Sequence, residues 1–228
     1  MPGWLRQGAS AAGRWRRLAS KPTGDWSLLG RAALRMAFVR AGVWVLPVRS
    51  LLGLLEGRGY VRGWALTPKG ERLRRVYNEM DLVLAESLAE RLFTGLDGPE
   101  TAALASGFTF EARRAETVAG WPREIAEPGG RIEELWHEIA AAERQAGVPE
   151  TRPPDPGFAT LAMRWVAGEN LAQLFEDEES SVGDFVRNCR QLIDLLRQIQ
   201  DVEEAAPEGI RAALRGLDRG VVAAQGAL

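Results

Sequence analysis

The polar residues best placed to do chemistry lie in one stretch, SVGDFVRNCRQLIDLLRQIQD, at residues 181–201. Its charged side chains recur at helical spacing and form a single stripe: Arg187, Arg190, Asp194, Arg197 and Asp201. Arginine can contact phosphate groups and stack on bases without reading their sequence. The stripe therefore faces either water or a ligand such as a nucleic acid.

Spacing divides this stripe into two parts. The two later arginines are each followed, four residues on, by an acid of the same stripe, a pairing typical of a solvated helix face. Arg187 has Gln191 at that distance, and Asp184 before it is expected to cap the start of the helix. Arg187, with Arg190 as the second choice, is therefore the predicted ligand-facing part.

Several kinds of chemistry are excluded by residue types. An ATP-binding P-loop needs a Gly-Lys-Ser/Thr sequence, and neither of the two lysines, Lys21 and Lys69, follows a glycine. His137 and Cys189 are each the single residue of their kind, which argues against a His/Cys zinc site and against a Ser-His or Cys-His nucleophile. We expect no catalytic residue, metal site or cofactor in this chain.

Charge is distributed very unevenly along the 228 residues. Residues 1–49 hold nine Arg/Lys and one acid, whereas residues 50–228 hold 20 basic and 30 acidic residues, and the whole chain has a net charge of −2. This balance is not that of a strongly basic DNA-coating protein. The basic, tryptophan-rich leader is a nucleic-acid or partner arm, a poorly ordered segment, or sequence foreign to the fold, such as a misplaced start.

The sequence also bears on location. It contains no run of 18 apolar residues and no signal-peptide pattern at its start, so no membrane association is expected. A single cysteine leaves no disulfide framework within the chain. These features predict a cytoplasmic protein, and its oligomeric state is left open.

From residue 50 onward the pattern predicts a mainly α fold, a helical bundle with a partial winged-helix element. Gly57 and Gly59 end an apolar helix and lead into a short β-wing near 58–67. Thr67 is expected to cap a helix whose apolar periodicity runs to Leu92. The predicted segments are a basic leader (1–49), a winged-helix remnant (50–70) and the bundle (71–228).

Later helices begin at recognisable caps. Asp97 and Glu100 have capping-box spacing and predict a helix that continues to Arg114. Asp155 is expected to cap another helix, which stops at Gly168. Further helices are predicted over 131–146, 181–201 and 208–224. Helical spacing in 181–201 predicts a buried apolar stripe, formed by Phe185, Cys189, Leu192, Leu196 and Ile199.

Read in order, these pieces resemble one family. The stretches are LLEGRGYV, LTPKGERLRRVYNEMDLVLAESL, LDGPETAALASGFTFEARR, RPPDPGFATLAMRWVAGENLAQLF and GDFVRNCRQLIDLLRQI. They resemble the C-terminal domain of exosome-associated, superkiller-type DExH-box RNA helicases, especially the bacterial HelY type, over about residues 50–228. Each stretch alone is weakly specific, and their order and spacing carry the resemblance.

The resemblance implies a role beside a motor. In that family two motor domains bind ATP and magnesium and pull single-stranded RNA, while a helical bundle closes the ring around the strand. One bundle helix acts as a ratchet, and the segment ALASGFTFEARR corresponds to it. The resemblance places these residues near RNA: Lys69, Glu111, Arg113, Arg114, Arg187 and Arg190. Single-stranded RNA and motor domains, in the same chain or another, are the implied partners.

Three interpretations remain open at this stage. The chain is a nucleic-acid-contacting accessory domain of a helicase, a stand-alone winged-helix DNA-binding regulator, or a non-functional helicase remnant. The regulator would need a three-helix DNA-binding head before residue 50. The resemblance begins abruptly near Ser50, so a disrupted helicase gene is a further hypothesis, which intact motor motifs in the DNA just upstream would support.

Overall fold

Helices make up most of the chain that the structure describes. The structure is a computed structural model, and it describes residues 45–112, 120–175, 182–203, 207–220 and 222. Within these ranges the only sheet is a two-stranded antiparallel wing. The predicted fold class, a helical bundle with a small β-wing, is confirmed.

The wing follows the first described helix. Helix α1 spans Val45–Gly57, and strands β1 (Val61–Arg62) and β2 (Ala65–Leu66) pair so that Val61 lies opposite Leu66. Helix α2 (Pro68–Arg74) then begins at Thr67, whose side chain accepts a hydrogen bond from the Gly70 amide at 3.1 Å. The predicted cap is confirmed, and Pro68 occupies the first turn, where proline is tolerated.

The helix expected to run from Thr67 to Leu92 is in fact two helices, so this prediction is wrong. Helix α3 covers Asp81–Ala89, and the chain leaves helical geometry between the two. Asn78 explains the break: its side-chain oxygen accepts from the Met80 amide at 2.7 Å, and its nitrogen donates to the Phe108 carbonyl at 3.2 Å. Asparagine side chains compete with helical hydrogen bonding in this way.

Helix α4 (Gly98–Ser106) lies at the centre of the bundle. Its predicted capping box is present, with Asp97 and Glu100 exchanging two hydrogen bonds of 2.9 Å. Every residue from Thr101 to Ser106 is buried. The helix ends at Ser106 rather than continuing through Arg114, because the chain turns at Gly107, where a Cβ atom would lie 2.4 Å from the Trp121 ring.

The remaining helices complete the bundle. Helix α5 (Ala126–Ala146) packs on α1 and α3, starts before the predicted residue 131, and ends at Gly147, which has a φ of +67°. A 3₁₀ turn at Pro156–Phe158 precedes α6 (Ala159–Val166), and α7 covers Leu171–Leu174. Helix α8 spans Val182–Val202 as predicted, and α9 (Glu208–Leu217) ends earlier than residue 224.

Helix α9 approaches α4 very closely, and glycine makes this possible. A Cβ atom on Gly209 would lie 2.3 Å from the Leu96 carbonyl oxygen and 2.4 Å from the Thr101 hydroxyl. At Gly98 a Cβ atom would lie 3.0 Å from Ala212. The contact between α4 and α9 thus requires glycine at these positions, since Cβ atoms do not approach backbone oxygen atoms so closely.

We predict that Gly209→Ala destabilises the protein by about 1–3 kcal/mol, because the added methyl group overpacks the contact between α4 and α9. Gly53→Ala is the matched control, since Gly53 is also helical but nothing lies within 4 Å of its added Cβ. That variant should be neutral or more stable by up to about 1 kcal/mol. Urea denaturation measures both, and equal effects of the two substitutions would contradict the packing argument.

Candidate nucleic-acid interface

A polar groove with a volume of about 440 Å³ lies between α8 and two loops. One loop is the break between α2 and α3, at Tyr77 to Glu79, and the other follows α4, at Phe108 to Glu111. Arg152 also lines the groove. Helix α8 contributes the side chains of Arg187, Asn188, Gln191, Asp194, Leu195 and Gln198.

Helix α8 presents this polar face because its opposite face is buried. Phe185, Cys189, Leu192, Leu196 and Ile199 form the predicted apolar stripe, and each has at most 2% of its surface exposed. Apolar residues spaced three and four apart fix which side of a helix meets the core. The groove residues at 187, 191, 194 and 198 have the same spacing and therefore share the outer face.

The break between α2 and α3 supplies the aromatic side of the groove. Tyr77 has 68% of its surface exposed, although it lies beside the bundle core. Its backbone amide donates to the Gln198 side chain at 2.7 Å, which fastens this loop to α8. A continuous helix would have lacked this connection, so the break places an exposed aromatic ring at the groove.

Arg152 binds the groove loop that follows α4. Its guanidinium donates to the Phe108 carbonyl at 2.8 Å, and Asn78 donates to the same oxygen at 3.2 Å. Arg152 also lies 3.5 Å from Glu79, and only 19% of its side chain is exposed. The two loops are thereby joined through one carbonyl group.

Asp155 provides a further connection, which we call the Asp155 clasp. Its carboxylate accepts from the Ala112 amide at 2.8 Å and from the Gly157 amide at 2.9 Å, while its own amide donates to the Gly107 carbonyl at 3.1 Å. Phe110 stacks on Phe158 with ring centroids 5.8 Å apart. The loop from Gly107 to Ala112 is therefore attached at both ends and in its middle.

The residues predicted to lie near RNA are dispersed. Glu111 and Arg187 both line the groove. Arg113 and Arg114 lie outside the described residues. Lys69 and Arg190 do not line the groove. The helix that was expected to carry Glu111 and the two following arginines ends at Ser106, so Glu111 lies in the loop instead.

Lys69 takes part in a cluster beneath the wing. Its ammonium group donates to both oxygens of Glu86, at 2.9 and 2.8 Å, and to the Arg58 carbonyl at 3.2 Å. It also lies 4.4 Å from the centre of the Tyr60 ring. Burial, together with the negative charge of Glu86, raises the pKa of Tyr60 above its usual range. Lys69 thus connects the wing to α3, a structural role that the sequence did not indicate.

The charge pairs predicted along α8 are wrong. Arg190 donates to the Val222 carbonyl at 3.2 Å instead of pairing with Asp194. Arg197 lies 4.0 Å from Asp218 of the α9 end. These arginines bind the chain that packs against α8, which sequence spacing within one helix cannot show.

Arg187 pairs with Asp184, three residues earlier, at 2.9 Å. The predicted cap at Asp184 stays a prediction, because its partner Ser181 lies outside the described residues. Both side chains are substantially exposed, at 49% and 39%. Exposed pairs of this kind contribute at most about 1 kcal/mol, and a guanidinium has five N–H donors. Arg187 therefore keeps donors for a ligand in the groove.

The sequence patterns did not indicate three features of the groove: Tyr77, Arg152, and the side-chain amides of Asn188 and Gln191 on α8. Tyr77 falls within the apolar periodicity that predicts one helix up to Leu92, and the Asn78 that follows it is the sequence signal for a break. Asn188 and Gln191 are neutral, so a search for charged stripes passes over them.

The described residues also bear on a reactive thiol, a metal site and a membrane-spanning helix. Burial raises the pKa of the Cys189 thiol to about 12, which keeps it protonated within the core, as its position in the apolar stripe predicted. No group of three or more metal-ligating side chains occurs among the described residues. In the same ranges no helix is long and apolar enough to cross a membrane.

Comparison with known proteins places this fold in a class. The family model described as the DSHCT (NUC185) domain matches residues 63–224, and the chain belongs to this family. The resemblance to the C-terminal domain of superkiller-type helicases is thereby confirmed. The helical bundle with its wing is a helicase C-terminal domain.

Individual relatives agree with this assignment. The chain is 34% identical over 196 residues to "Probable helicase HelY" of Mycobacterium leprae (strain TN), which is 76% of this chain and 21% of the relative. It is 32% identical over 195 residues to "Probable helicase HelY" of Mycobacterium tuberculosis (strain ATCC 25618 / H37Rv), covering 75% of this chain and 21% of the relative. The chain thus spans about a fifth of these relatives. It is also 27% identical over 150 residues to "mRNA transport homolog 4" of Caenorhabditis elegans, covering 62% of this chain and 14% of that protein.

We predict that Asp155→Ala releases the groove loop. Hydrogen exchange at the Ala112 amide should accelerate at least tenfold, because its acceptor is lost, while stability falls by the roughly 0.5–2 kcal/mol of a lost cap. Asp97→Ala is the matched control, since it removes a cap from α4 but touches neither Gly107 nor Ala112. Equal acceleration at Ala112 in both variants would show that global stability, and not the Asp155 clasp, protects the loop.

Proposed function

We propose that this chain forms an RNA-contacting wall of an ATP-dependent RNA helicase. The observation that carries the proposal is the groove, where Arg187 and Arg152 meet an exposed aromatic ring and several side-chain amides. Proteins that hold single strands without sequence preference combine basic contacts with aromatic surfaces for stacking. The domain would guide and retain the strand, and it carries out no bond-breaking step.

A motor is the partner that this function requires. Two of the relatives are named as helicases, and the chain corresponds to about a fifth of their length. We propose that motor domains, in the same polypeptide or in another, bind ATP and magnesium and move the RNA past the groove. The sequence has no P-loop of the Gly-Lys-Ser/Thr form, which supports the assignment of ATP hydrolysis to those motor domains.

RNA processing in the cytoplasm is the setting we propose. The relative named as an mRNA transport homolog supports a connection with RNA. The buried, unpaired Cys189 is compatible with a reducing compartment.

The predicted RNA contacts divide into two groups under this proposal. Arg187 and Glu111 lie at the groove and are assigned to the strand. Arg113 and Arg114 lie outside the described residues, and we propose them as RNA contacts on the family resemblance alone. Lys69 and Arg190 form hydrogen bonds within the protein, to Glu86 and to the Val222 carbonyl. We propose that they contact RNA only through N–H donors that these bonds do not use.

We predict that Arg187→Ala weakens binding of a fluorescein-labelled 12-nucleotide single-stranded RNA by about three- to tenfold. The slope of log affinity against log salt should fall by about 0.7, the value for one lost phosphate contact on a single strand. Arg211→Ala is the matched control: Arg211 lies outside the groove lining, is 46% exposed, and pairs with Glu208 three residues earlier, as Arg187 pairs with Asp184. Fluorescence anisotropy across a salt series measures both variants.

Three outcomes would count against the proposal. Equal losses in the two variants would indicate general charge attraction instead of a defined site. Tighter binding to duplex DNA than to the single strand would favour a winged-helix regulator. Binding to neither nucleic acid would favour a non-functional helicase remnant.

A further inference from the structure

The charge of the groove is the starting point for a more specific inference, which rests on the proposed function. Two arginines, Arg152 and Arg187, face three acids, Glu79, Glu111 and Asp194, among the described lining residues. Their balance is negative, and Arg152 is already bonded to the Phe108 carbonyl and lies beside Glu79. The interior of a groove with this balance is a poor place for a phosphate, which leaves the half-exposed Arg187 as the basic side chain for the strand's backbone.

The same side chains suit contact with the bases of a single strand. Carboxylates accept hydrogen bonds from the amino groups of bases, as in acidic contacts to the N4 amino group of cytosine. Asparagine and glutamine amides both donate and accept, and Asn188 and Gln191 lie between Arg187 and Asp194 on the outer face of α8. The exposed ring of Tyr77 offers a stacking surface, and unstacked RNA bases commonly stack on aromatic side chains.

The groove is large enough in volume for a small ligand such as a single base. Its volume of about 440 Å³ lies within the roughly 300–1,000 Å³ of small-molecule clefts. Its walls are also held in place. The Tyr77 amide donates to the Gln198 side chain at 2.7 Å, and the Ala112 amide, next to Glu111, donates to the Asp155 carboxylate at 2.8 Å. A base entering here meets a site that is largely formed in advance.

We propose that the groove binds one unstacked RNA base that carries an exocyclic amino group. Tyr77 stacks on this base, Glu111 and Asp194 accept from its amino group, and Arg187 holds a phosphate at the rim. Cytosine is therefore preferred over uracil, which differs by presenting a carbonyl acceptor where cytosine presents the amino donor. A carboxylate facing that carbonyl is repelled, so the acids select against uracil.

Preference between two pyrimidines tests this inference. The full chain is titrated with fluorescein-labelled ten-nucleotide oligo(C), oligo(U) and an abasic strand of the same length, at pH 7.5 and one salt concentration. We expect oligo(C) to bind about three- to tenfold more tightly than oligo(U). Glu111→Gln combined with Asp194→Asn should tighten binding of oligo(U) and bring the ratio close to one, because the amides can donate to its carbonyl.

Stacking is tested by changing the ring alone. Tyr77→Ala should weaken oligo(C) by about fivefold or more and leave the abasic strand unchanged, since stacking needs a base. Tyr77→Phe keeps the ring and should bind as the unchanged protein does. Circular dichroism confirms that each variant is folded, and the high exposure of Tyr77 makes folding failure an unexpected result.

The results separate this inference from the proposed function. If the unchanged protein binds oligo(C) and oligo(U) equally, or if Tyr77→Ala has no effect while Arg187→Ala weakens binding, the base site is overturned and the RNA wall stands. If none of the strands binds, both are overturned. A cytosine preference that survives the double acid substitution would also overturn the assignment to Glu111 and Asp194.

Discussion

Helix α4 is buried on every side from Thr101 to Ser106, and the packing of the neighbouring helices follows from the need to cover it. A helix without an exposed face must be covered by several neighbours, and here α6, α8 and α9 cover it. Close coverage is possible because Gly98 and Gly209 lack side chains where α4 and α9 meet. Replacing apolar contact by water along this helix would cost more than any surface ion pair contributes.

The groove follows from that packing. The chain turns after Ser106, at the end of α4, and the loop that follows reaches the surface beside α8 at Glu111. Arg152 and Asp155 then bind this loop through its backbone groups, and Phe110 adds a ring contact with Phe158. A rigid support of this kind leaves Glu111 and its neighbours available to evolve contacts with a ligand.

The accuracy of sequence reasoning varied with the range of the interactions concerned. Thr67 and Asp97 cap their helices as predicted, because a cap involves residues only three positions apart. Phe185 and Cys189 are buried as predicted, because helical spacing determines the apolar face. The predicted pair of Arg190 with Asp194 is wrong, since Arg190 donates to Val222, 32 residues away, and spacing within α8 contains no information about that contact.

The sequence alone determined the caps, the wing, the apolar faces and the family resemblance, all of which depend on local patterns or on their order. Only the tertiary structure decided that Asn78 breaks a helix, that Lys69 is bound to Glu86, and that Tyr77 meets α8 at a groove. Those features arise from contacts between segments distant in sequence, such as Tyr77 with Gln198, 121 residues apart. Their free energy comes from the assembled bundle, so no single segment specifies them.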